Sequence, residues 1–490
     1  MKKIPILFFA AGSLFMASCE KEVIDKVVPR EQLTADLAFS TPEKIESSTM
    51  AMYDGLQNLN YLGGRAMIYI DLLGNDVVDK NQFFGNLPRY QLLSNDGFSA
   101  GIWNAAYNSI ARANRAIAGI TANADKLTPT KAQQLIAECK FVRAVNHFYL
   151  VNFFGQPYGF TPTASHLGVP IITENFTSND PAANKPRATV KEVYDAIIKD
   201  LTEALPNIPT TYANTYQTRT RGTKAATAAF LARVYLYMGD YTNARTQANA
   251  VISNTYGSYA LRPNPRGAFG PGNYTTNETV WSIPHNVNDN PNTNNALPQH
   301  YFEAGRGDLV VSPTFLNAST NPWLGADDLR RTAMIDRGVT PQNTNFFFTN
   351  KYPDVQSRSD WAPVIRLAEV YLTFAEASAR IASGVDADAI TRLNQVRDRA
   401  KGSAPSYTAA DFANKDALIN AILGERRVEL AFEGHRGWDM ARVRANITNK
   451  LDADLTLLPT LNYGADKFIL PIPQIEVDKS NGVLVQNPGY

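Results

Sequence analysis

The chain has 490 residues, 47 Lys plus Arg against 46 Asp plus Glu, an apolar fraction of 44% and two cysteines. A net charge of +1 excludes the basic excess that nucleic-acid binding requires, and two cysteines exclude a disulfide scaffold or a four-thiolate zinc site. Five scattered histidines leave little material for a histidine metal centre, so no cofactor or metal is expected.

The amino end reads as a leader. Lys2 and Lys3 precede an apolar run from Ile4 to Met16, too short to span a bilayer, which takes about 20 residues. The run ends Met16-Ala17-Ser18-Cys19, which resembles the bacterial lipobox. Cleavage after Ser18 would make residues 1–18 a signal peptide and Cys19 the lipidated residue. Residues 19–37 then form a tether and 38–490 the folded domain. No later segment is long and apolar enough to cross a membrane. Cys139, inside a helical pattern, is expected to be a buried, inert thiol.

Thr41-Pro42-Glu43 is a helix start, and the helix should run to about Leu59. Residues 60–100 are rich in Gly, Asn and Asp and read as loops. Apolar spacing predicts helices over about 102–123, from Pro129 to about Phe153, and over 190–205 behind the cap Thr189. A Gly- and Pro-rich connector fills 155–187. Residues 222–254 form two amphipathic helices around Gly239-Asp240-Tyr241, a tetratricopeptide-like pair. A second pair is predicted over Arg366–Ile381 and Ala387–Arg399. Between them, residues 255–362 read as an irregular, loop-rich insert, with eight asparagines in 273–295. A last helix covers about 415–433.

Catalytic signatures are missing: there is no His-Glu-x-x-His, Gly-x-Ser-x-Gly or Gly-x4-Gly-Lys. Glu425, Glu429 and Glu433 share one face of the last helix. Neighbours on one face cannot oppose each other across a substrate, so they are expected to pair with Arg426, Arg427 and Arg436 as scaffold. His147 should be a satisfied, partly buried histidine, whereas His285 and His300 lie in loops within reach of a ligand.

In order along the chain, these features resemble the SusD/RagB family of surface glycan-binding lipoproteins. The fragments include Trp103-Asn104-x2-Tyr107, Glu138-x2-Phe141-x-Arg143-Ala144, Arg187-x-Thr189-Val190, Gly222-x-Lys224-x-Ala226, Arg366-x2-Glu369 and Glu425-Arg426-Arg427-x-Glu429, closing with Gln486-Asn487-Pro488-Gly489-Tyr490. The resemblance implies a mainly α single domain, with about four tetratricopeptide-like helix pairs scaffolding a large loop-rich irregular region. It implies a non-enzymatic protein, lipid-anchored in the outer membrane and facing outward. Its role would be to bind polysaccharide or oligosaccharides and deliver them to a SusC-like TonB-dependent transporter. The alternatives are peptide cargo, as in the RagB branch, then a glycoside hydrolase or a structural adaptor.

A sugar offers an apolar face to an aromatic ring and hydroxyls to amides and charged groups. Two loop clusters have that chemistry. One holds Asn75, Asp76, Asn81, Phe83, Phe84 and Tyr90; the other holds Tyr301, Phe302, Arg306 and Trp323. Phe83 and Phe84 are expected to point oppositely from an extended loop. Trp103, Trp281, Trp361 and Trp438 are expected in the core.

Overall fold

Short polar side chains start most of the long helices by accepting backbone N–H groups that would otherwise lack partners. The computed structural model describes residues 35–176, 182 and 184–490. The leader, Cys19 and most of the tether lie outside the described residues. Thr41 caps α1 (Pro42–Leu56), Asp96 caps α3 (Gly97–Ala122) and Thr128 caps α4 (Pro129–Phe154). Thr189 and Glu192 form a capping box on α5 (Val190–Ala204). Thr223 caps α6 (Lys224–Met238), which ends at Gly239 with φ +80, a left-handed turn that Gly adopts without steric cost. Asp240 at once caps α7 (Tyr241–Ile252), as the Gly-Asp-Tyr turn predicts. α8 (Leu367–Ile381) and α9 (Ala387–Arg397) form the later pair, followed by α10 (Lys415–Glu429) and α11 (Arg436–Arg442).

The fold is mainly α. Consecutive helices pack in pairs: α3 on α4, α4 on α5, α6 on α7 and α8 on α9, with α7 also against α8. Small residues permit close approach: a methyl at Gly55 would come within 2.8 Å of the Ser109 side chain. Trp103, Trp281, Trp361 and Trp438 are buried, as expected. Cys139 is buried too, and burial pushes its thiol far above the ordinary range.

Two stretches differ from the sequence reading. Residues 60–100 contain α2 (Arg65–Leu72), in which every residue after Arg65 is buried. A helix enclosed on all sides has no polar face and shows no periodicity. The insert holds short antiparallel strands: β2 (Thr279–Ile283) pairs with β6 (Ala362–Arg366), and β4 (Ile335–Arg337) with β5 (Phe347–Thr349). β1 (Val77–Asp79) reaches in to pair with β3 (Leu309–Val311).

Buried ion pairs stitch the elements together. Arg143 of α4 makes bonds of 2.6 and 2.7 Å to Asp200 of α5 and donates to Asn114 of α3. The carboxylates near the end of α10 are scaffold, but not with the predicted partners. Glu425 pairs with Arg330; Glu429 with Arg366, Arg399 and Arg330; Glu433 with Arg366 and Lys351. Arg426 instead holds Asp439, while Arg427 and Arg436 reach back to Asp76. The helix also stops at Glu429, earlier than predicted, because Phe432 and Gly434 both turn left-handed. Glu433 therefore leaves the helix face.

These pairs set the acid limit of the fold. Burial raises the Glu429 and Glu369 carboxyls, but adjacent guanidinium groups outweigh it and hold both at about 2. Folded values below the unfolded ones give stability that is present above about pH 4.5 and lost as pH falls towards 2. Between pH 7 and 4.5 two sets oppose each other. Buried Asp71, Asp79 and Asp360 are raised to about 7, 6 and 7 and gain stability as pH falls. Buried His147, His285 and His435 are lowered to about 3, 4 and 4 and lose it. The expected urea midpoint is nearly flat from pH 7 to about 4.5 and drops steeply below. A decline spread evenly over the whole range would contradict this assignment.

Candidate functional site

The asparagine-rich loop folds on its own amides. Asn286 Oδ1 accepts from the backbone of Asn288 and Asp289, Asn290 Oδ1 from Asn292, and Asn292 Oδ1 from Asn294. These local turns fix the loop and leave Asn286, Asn288, Asn292, Thr293 and Asn294 exposed. The run of asparagines is thus both the architecture of the loop and its polar surface.

An aromatic group stands at one end. Trp361 is buried and its Nε1 donates to His285 O at 3.1 Å, anchoring the loop. Tyr274 stacks on Trp361 with centroids 5.3 Å apart and planes 14° apart. Tyr216 meets the same indole edge-on at 5.4 Å and remains 49% exposed. Asp289, bonded to Gln57 Nε2 at 3.0 Å, supplies a carboxylate on the same loop.

A cationic group stands at the other end. Arg65 donates from Nε and Nη2 to Asn294 O at 3.2 and 3.1 Å, and Arg306 Nη1 donates to Asn294 Oδ1 at 3.3 Å. Both guanidinium groups lie over the Phe83 ring, at 5.3 and 4.4 Å. Arg358 donates from Nη1 to Thr293 Oγ1 at 3.4 Å. Beneath them His300 is buried, with Nδ1 2.9 Å from Asp308 and Nε2 3.0 Å from Asn294 O. Asp308 also accepts from Arg306 and Asn81. Burial raises this carboxyl, but those donors outweigh it and hold it at about 2.

The predicted residues divide. Phe83, Asn81 and Arg306 come together at the cationic end of the loop. Four others face inward. Phe84 is 0% exposed, packed on Tyr69 and His300. Tyr301 is 1% exposed and donates to Asp71 at 2.6 Å. Asn75 is buried between Thr448 O and Arg436, and Asp76 is buried against Arg427. Those four offer a ligand nothing. The loop is also not extended at Phe83 and Phe84. It turns at Gln82, with φ +55, and the Asp79 carboxylate accepts from both phenylalanine N–H groups, leaving the rings 5.0 Å apart.

Tyr90 and Trp323 stand elsewhere. Tyr90 is half-buried and donates to Leu73 O at 2.9 Å. Trp323 is half-buried against Gly424 of α10, and Phe302 is also half-buried. His285 is buried under the loop, and His147 is satisfied by Arg143 O and the Ile172 N–H. Among the described residues no group of three or more His, Cys, Asp or Glu is placed to hold a metal ion, and no helix is long and apolar enough to cross a membrane.

Sequence reasoning missed Tyr216, Tyr274, Arg65 and Arg358. Tyr216 lies on a six-residue helix, Thr215–Thr220, between the stretches predicted as helices. Only its packing against Trp361, 145 positions later, makes it part of the loop surface. No local pattern carries that information.

Comparison with known proteins gives consistent results. A family model described as "SusD family" matches residues 326–490, and one described as "Starch-binding associating with outer membrane" matches residues 24–236. The chain is 26% identical to SusD-like protein P2 of Formosa agariphila, over 94% of each chain. Among solved structures it is similar to a SusD superfamily protein from Bacteroides fragilis, with TM-score 0.78 and 26% identity over 91% of this chain and 99% of that one. It is also similar in fold to a laminarin-binding SusD-like protein, with TM-score 0.71 and 23% identity over 92% of this chain and 100% of that one.

Proposed function

From the premise that the chain belongs to the SusD/RagB family, we propose that it is a non-catalytic glycan-binding protein of the outer membrane. It captures oligosaccharides and passes them to a SusC-like TonB-dependent transporter, held in place by acylation of Cys19 and facing outward. The observation that carries this reading is the exposed strip along residues 286–295, which joins Tyr216 on its Trp361–Tyr274 stack to the amides and guanidinium groups around Asn294. An aromatic rim can cover the CH face of one sugar ring while amides and guanidinium groups take its hydroxyls. Phe83 contributes by holding Arg65 and Arg306, not as an open platform, and Asn81 and Arg306 complete the polar end. Catalysis has no support in Glu425, Glu429 and Glu433, each buried against cations.

The test is titration with a panel of oligosaccharides and, separately, a pool of peptides. Oligosaccharide binding is expected, and Tyr216→Ala should weaken it about three- to tenfold, the value of one aromatic contact. Binding to peptides alone would replace glycan with peptide cargo. Release of new reducing ends would restore an enzymatic reading.

A further inference from the structure

Resting on the glycan-binding reading above, we infer that the saccharide this surface takes is acidic, bearing carboxylate or sulfate groups, and that Arg65, Arg306 and Arg358 select it. Three guanidinium groups converge on two consecutive residues: Arg358 on Thr293, and Arg65 and Arg306 on Asn294. Asp308 is the one carboxylate bonded to any of them among the described residues. It is buried and already shared with His300 and Asn81.

Several arginines of the buried scaffold are spent on carboxylates. Arg143, Arg233, Arg330, Arg366, Arg399 and Arg442 all sit within bonding distance of carboxylates. Among the described residues no carboxylate lies within ion-pair distance of Arg65 or Arg358. Their bonds to Asn294 and Thr293 leave the remaining guanidinium N–H groups at the loop surface without a carboxylate.

The placement of these arginines is built, not incidental. Arg358 has φ +57, a left-handed conformation that costs a long side chain about 1–2 kcal/mol. The Asp354 carboxylate fixes that turn by accepting from the Ser357 and Ser359 backbones. Arg358 Nε is buried without a partner among the described residues. Phe83 and Phe98 support the Arg65 guanidinium from below.

Arginine donates hydrogen bonds and accepts none. A neutral sugar presents hydroxyls that need both donors and acceptors, whereas a carboxylate or sulfate needs donors alone. The planar guanidinium matches either anion with two parallel bonds. Asp289, at the aromatic end, remains as an acceptor for the hydroxyls of the same chain of sugars.

Calorimetric titration of the full chain with length-matched neutral, uronate-bearing and sulfated oligosaccharides tests this. At least one acidic series should bind about tenfold or more tightly than the neutral one at low salt, and the advantage should shrink as salt rises. The arm that binds identifies carboxylate or sulfate as the group read. In an Arg65→Gln/Arg358→Gln variant the ratio of acidic to neutral affinity should collapse towards one. Neutral binding equal to or tighter than both acidic arms would overturn the inference and leave the glycan reading standing. An unchanged ratio in the variant would also overturn it. If no saccharide binds, both fall together. If the variant does not fold, wild-type salt dependence decides: acidic binding indifferent to salt overturns the proposal.

Discussion

Replacing Arg366 with methionine should cost about 3–5 kcal/mol of stability, because it strips the shared cation from a buried acidic cluster. Arg366 reaches Glu278 at 2.6 Å, Glu433 at 2.6 and 2.8 Å, and Glu429 at 3.2 Å, and all four side chains are buried. Arg399, Arg330 and Lys351 remain, yet Glu278 and Glu433 each lose a close partner. Domains of ordinary stability have about 5–15 kcal/mol in all, so the variant should lose about a fifth or more. Chemical denaturation measures it. A loss below about 1 kcal/mol would mean that the cluster reorganises or protonates.

Gly424→Ala sets two effects against each other. Gly424 lies inside α10, where exchanging Gly for Ala ordinarily gains about 1 kcal/mol. Here a methyl would meet Trp323 Cδ2 at 2.0 Å and Cγ at 2.4 Å. Those atoms belong to a rigid ring near its attachment, so the whole indole must move. Overpacking of this kind costs about 1–3 kcal/mol, which outweighs the propensity gain. The expected result is a net destabilisation of up to about 2 kcal/mol with a red-shifted tryptophan emission as the ring is pushed into water. A stabilised variant with unchanged emission would show that Trp323 is not seated on that helix. The same contact explains why Trp323, which in sequence has the look of a binding residue between Pro322 and Gly325, is instead engaged with the scaffold.

How much of this was legible in the sequence follows from where each signal resides. Pro42, Pro129, Thr189 and Gly239 state their helix boundaries locally, and those boundaries agree with the structure to within a residue or two. α2 was not legible, because a helix buried on every side carries no alternation. The scaffold role of Glu425, Glu429 and Glu433 could be read from spacing, but their partners could not. Arg330, Arg366 and Arg399 lie tens of residues away and are brought in by the insert, by β6 and by the end of α9. For the candidate site, residue type singled out loops that hold aromatics, amides and arginines together. It could not tell Phe83 from Phe84, since one turn decides which ring is enclosed.

Pairing across such spans has a consequence in time. Asp76 waits for Arg427, 351 positions later, and Phe154 O waits for Asn487, 333 positions later. Synthesis at about 5–20 residues per second puts more than a quarter of a minute between the first member of the Asp76–Arg427 pair and the second. The early helices can gather locally, but Asp76 stays unmatched until nearly the whole polypeptide exists. Molecules ended prematurely, anywhere short of α10, carry that mismatch permanently, so the fold itself discriminates finished chains from fragments and leaves the fragments open to proteolysis.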